Sequence, residues 1–66
     1  MIEVQAIMRN QNFIDTALPE AIKLVAEKSE QSVEFTKLAF LAGHSKVHSQ
    51  VMDLLESAAK EIQSRL

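Results

Sequence analysis

The sequence predicts an all-α protein: an antiparallel αα-hairpin with a short N-terminal arm, two copies of which pair into a four-helix bundle. Three observations carry that expectation. A usually apolar position returns every eleven residues, the single Pro stands where a helix should begin, and the single Gly stands where one should end. Ile7, Leu18, Phe40, Val51 and Ile62 form one row, interrupted by Ser29. Ile14, Val25, Val47 and Ala58 form a second, interrupted by Thr36, and Ile22, Val33, Leu55 and Leu66 a third, interrupted by Gln11 and His44. Eleven residues close three turns of an α-helix, so the recurrence describes an apolar face carried along the chain.

Residues 1–15 form the arm and admit two readings. Ile2, Val4, Ala6 and Met8 alternate with Glu3, Gln5 and Arg9, a strand pattern interrupted only by Ile7. A lone strand would need an edge to pair with, most simply its own copy in a second subunit. Ile7, Ile14 and Leu18 instead share one helical face, with Asn10-Gln11-Asn12 as its weak point. A helical or irregular arm packed on the hairpin is the preferred expectation.

The first long helix is expected over residues 16–42. Asp15 or Thr16 can cap it, Pro19 falls in a first turn that has no use for its N–H, and Glu20 favours the positive end of the helix dipole. Leu18, Ile22, Val25, Ser29, Val33, Thr36 and Phe40 then step by three and four along one face. Lys23, Glu27, Glu30, Glu34 and Lys37 occupy the other, where Lys23 and Glu27 are spaced to pair. Ser29 and Thr36 read as small hydroxyls that bond back to the preceding turn.

A turn is expected over residues 43–45 and a second helix over 45–66. Gly43 can take the left-handed conformation that ends a helix, and Ser45 can accept the free N–H groups of the next. That helix presents Val47, Val51, Leu54, Leu55, Ala58 and Ile62 on one side, with Glu56–Lys60 and Glu61–Arg65 spaced to pair on the other. So short a connection makes the two helices antiparallel neighbours. The alternative is one long helix in a coiled coil, because the stripes before and after Gly43 share a phase; tolerating Gly43 there would cost about 1 kcal/mol.

The chain is 66 residues long, one small domain whose core rarely supplies more than about 3 to 5 kcal/mol. With no Cys, disulfides and thiolate metal sites are excluded, and oligomerisation is the usual remaining remedy. The net charge of −2, scattered basic residues and lack of Trp and Tyr disfavour nucleic-acid binding. No apolar run is long enough for a signal peptide or a membrane span, so a cytoplasmic protein without membrane association is the expectation. Mixed Glu and Lys on the polar faces also argue against a helix lying on a lipid surface.

Chemistry-bearing motifs are absent. His44 and His48 share a helical spacing suited to two metal ligands, but two ligands are not a site and no acidic or Cys partner completes one. No serine is spaced against a base, and one Gly cannot build a phosphate loop. The expectation is therefore no enzyme, no cofactor and no metal. The informative departure lies near the hairpin tip, where Phe35, Leu38, Ala39, Phe40, Leu41 and Ala42 point in nearly every direction. A helix apolar all round must be covered all round, and one facing helix cannot do so. Either the arm folds over the excess or a second surface does; Phe35, Leu38, Phe40 and Leu41 are the candidate interface residues.

The sequence thus points to a non-enzymatic helical interaction module, an adaptor or regulator that self-associates as a homo-oligomer and binds another protein. The sequence leaves two alternatives open. One is a small dimeric nucleic-acid-binding regulator in which Lys23, Lys37, Lys46, Lys60 or Arg65 converge on one face, and the other is a structural subunit of a larger helical assembly.

Overall fold

A computed structural model describes residues 2–66 and shows an all-helical protein. Four helices follow in order: α1 (Val4–Arg9), α2 (Gln11–Ser29), α3 (Val33–Leu41) and α4 (Ser45–Arg65). No described helix is long and apolar enough to cross a membrane.

The expected arm, of which Met1 lies outside the described residues, is helical from Val4 onward apart from Asn10, and there is no strand among the described residues. The weak point of the sequence is a helix junction. Asn10 has extended backbone, and its side-chain Oδ1 accepts a hydrogen bond from the Phe13 N–H at 3.2 Å, capping α2. The cap moves the start of the long helix from the expected residue 16 back to residue 11, so Asp15 and Thr16 lie inside it. Pro19 consequently sits in the helix interior, where it removes one hydrogen bond to the turn before it. Asp15 and Pro19 are both exposed, so water can satisfy the carbonyl left over.

The larger correction concerns residues 16–42, which are not one helix. Glu30 adopts φ 56° and ψ 38°, the left-handed conformation, and ends α2. Gln31 donates its N–H to the Ala26 carbonyl at 3.0 Å and Glu30 donates to Glu27 at 3.3 Å, the paired bonds of a Schellman stop. Ser32 then caps α3, its Oγ accepting from the Phe35 N–H at 3.0 Å. The second stop is built the same way. Gly43, at φ 78°, donates to Phe40, and His44 donates to Ala39. The turn therefore lies at Gly43 as expected and the chain is not continuous helix, but His44 rather than Ser45 caps α4, its Nδ1 accepting from the Val47 N–H at 3.4 Å.

The N-terminal half of α2 and the C-terminal half of α4 line the same groove, so these two long helices run antiparallel. The hairpin partner of α4 is thus α2, with α3 inserted between them in sequence and bridging the end where α2 stops and α4 starts. At the opposite end α1 packs on α4, and Gln63 donates its side-chain N–H to the Ile2 carbonyl at 2.9 Å. The molecule is twice as long as it is wide, 37 × 19 × 18 Å.

Ile22 and Val25 of α2 meet Val51, Leu55 and Ala59 of α4 in the core, which α1 extends with Ile7 and the first turn of α2 with Phe13. Among the described residues, the largest side chains sealed almost completely are two valines, Val25 and Val51, and one hydroxyl-bearing residue, Thr36. Thr36 Oγ1 donates to the Ser32 carbonyl at 2.9 Å, one turn back, which is how a polar row member enters the core without an orphaned group. Ser29, its counterpart in the first row, is exposed at the end of α2. The expected Glu56–Lys60 and Glu61–Arg65 pairs form on α4, whereas Lys23 and Glu27 make no ion pair among the described residues.

Candidate interaction surfaces

The break at residues 30–32 decides what α3 shows to solvent. Restarting at Ser32 turns Thr36 and Phe40 inward, and leaves Phe35, Leu38 and Leu41 57, 65 and 66% exposed. These three lie at spacings of three residues, within an arc of about 120° on a helix of nine residues. They form a ridge on the outer side of the bridging helix. α1 does not reach them, for it packs at the far end, on α4 and α2.

Phe40 does not belong to that ridge. It is half-buried, packs against the core, and stacks on His48 with ring centroids 5.2 Å apart and planes 9° from parallel. His44, meanwhile, caps α4. The two histidines thus have separate structural tasks, and no three His, Asp or Glu side chains among the described residues cluster in a way that could hold a metal ion. Of the basic residues considered for nucleic acid, Lys60 and Arg65 are already held by Glu56 and Glu61.

A second apolar surface, not foreseen from the eleven-residue rows, runs between α2 and α4. It is a groove of about 880 Å³ whose α2 wall is Phe13, Ala17, Ala21 and Leu24, and whose α4 wall is Leu54, Ala58 and Ile62. The last turn of α4 and α1 close one end with Leu66, Ile2, Ala6 and Ile7. Polar side chains, among them Thr16, Glu20, Glu61 and Arg65, stand along its edges. Four alanines keep the walls low, so another helix backbone can approach closely. Leu54, Ala58 and Ile62 belong to the apolar side expected of the second helix, whereas Ala17 and Leu24 lie beside the stripe expected along residues 16–42.

Ridge and groove together hold seven of the eight large apolar side chains that are exposed, Val33 being the eighth, against six that are buried, among the described residues. Contiguous exposed apolar patches tend to be functional. No family model matches the chain, and neither a curated protein nor a solved structure matches it significantly.

Proposed function

We propose that this chain is a non-enzymatic helical interaction module that self-associates, with a further protein as its regulatory or adaptor target, in the cytoplasm. The observation that carries the reading is the ridge of Phe35, Leu38 and Leu41, each more than half exposed on a helix whose other side is already used for packing. The thin core supports it. Burial of those side chains by a second chain adds apolar area to a fold whose largest sealed side chains are valines and a threonine.

Substituting Leu38 by Glu tests the reading. Leu38 touches solvent rather than core, so the variant should keep its helical circular dichroism while the assembly dissociates to single chains in sedimentation. A wild-type protein that sediments as a single chain at every concentration removes self-association, and a Leu38→Glu variant with unchanged assembly mass removes the ridge as its contact.

A further inference from the structure

Resting on the self-association just proposed, we infer that the ridge of one copy seats in the α2–α4 groove of the next, so that copies join head to tail. Three arrangements would cover exposed apolar surface, and shape and area separate them. Ridge against ridge joins two convex surfaces along their crests, Phe35, Leu38 and Leu41 of each copy, and leaves both grooves uncovered. Groove against groove sets two concavities of about 880 Å³ face to face and leaves them unfilled, which interiors packed as densely as protein cores do not tolerate.

Ridge into groove matches convex to concave. The groove supplies 17 lining residues, so that an inserted helix would meet it with its flanks as well as its crest. Its α2 wall from Phe13 to Leu24 spans about 16 Å, and the nine residues of α3 span about 13 Å at 1.5 Å per residue. The ridge cannot reach its own groove. α3 bridges the end where α2 stops and α4 starts, whereas the groove opens toward α1 and the last turns of α4. The occupant must therefore be another molecule, and a second copy carries a ridge, about 9 Å from Phe35 to Leu41, that fits within the length of the groove.

Such a contact is heterologous: each copy uses two different surfaces, and each end of a chain of copies still offers one. The arrangement differs from the closed two-fold four-helix bundle expected from the sequence. It predicts a mass that grows with concentration past two chains, or a closed ring.

A mixing experiment decides it. Leu38→Glu disables the ridge and leaves the groove; Ala6→Arg, at an exposed position on the groove wall, fills the groove and leaves the ridge. Each variant alone should sediment as a single 7.4 kDa chain, and an equimolar mixture should form a two-chain complex that grows no further. If Ala6→Arg still associates by itself, the head-to-tail contact is wrong while self-association through the ridge stands. If Leu38→Glu still associates by itself, the ridge is not the contact at all. Should Ala6→Arg lose helical signal, Leu24→Arg, at the other end of the groove, replaces it in the same mixture, and two non-associating variants that fail to complement each other overturn the inference.

Discussion

The ring of Phe40, at the end of α3, lies flat on the imidazole of His48, one turn into α4, with centroids 5.2 Å apart. This stack fastens the bridging helix to the long helix that follows it, across a turn of only three residues. A double-mutant cycle with Phe40→Leu and His48→Ala should return a coupling of about 0.5–1.5 kcal/mol beyond the separate effects. Denaturant unfolding of the four proteins at one fixed chain concentration measures it, and purely additive losses would reduce the stack to ordinary side-by-side packing.

Glu30 holds a left-handed conformation that costs a residue with a side chain about 1–2 kcal/mol. Glu30→Gly should therefore stabilise the fold by roughly 0.5–1 kcal/mol, the gain reduced by the extra freedom Gly brings to the unfolded chain. In a domain of this size that is a rise of about 2–8 °C in Tm. The opposite substitution, Gly43→Ala, meets no atom within 4 Å of the new Cβ, so its expected loss of about 1–2 kcal/mol comes from backbone strain alone.

His44 caps α4 through a long hydrogen bond, 3.4 Å from its Nδ1 to the Val47 N–H. An Asp at this position offers a shorter acceptor and a negative charge at the positive end of a helix of 21 residues. His44→Asp should raise stability by about 0.5–1 kcal/mol, read as a higher denaturant midpoint with an unchanged slope. A lower midpoint would show that the imidazole contributes something other than the cap.

Leu55 is nearly buried between α2 and α4, in a core that holds only six large apolar side chains among the described residues. Truncation to Ala should cost about 2–5 kcal/mol. A chain of this length has a total of about that size to lose, so the expected outcome is a largely unfolded protein at 25 °C. A cooperative thermal transition persisting within a few degrees of the wild type would mean that the core tolerates the cavity.

The contrast between Gly43 and Glu30 explains what was legible in the sequence. Both end helices with the same left-handed residue and the same pair of backward hydrogen bonds. At Gly43 the residue type announces the geometry. At Glu30 it conceals it, because a glutamate four residues before another glutamate reads as the solvated face of a continuing helix. The remaining clue, Ser32 as a cap ahead of an apolar run, competed with an apolar row that appeared to continue through Val33. That row position is in fact 49% exposed. The missed break had one further effect on the expected interface. With α3 set in its own direction, Phe40 turned to the core while Phe35, Leu38 and Leu41 stayed outside. Asn10 was legible as an interruption but not as a cap, since Asp15 and Thr16 beside Pro19 offered an equally good start.

The hydrogen bond from Gln63 to the Ile2 carbonyl joins residues 61 positions apart. It brings the two extremities of the described chain together, where Ile2 and Leu66 line one hollow. The path of the backbone is therefore almost a closed circuit. The order of its helices can be recut: a short linker from residue 66 to residue 2, with new ends opened at the exposed turn around Gly43, leaves every helix and every core contact intact. Such a rearranged chain would start with α4 and finish with α3, freeing the outer helix at one end while its surroundings stay unchanged.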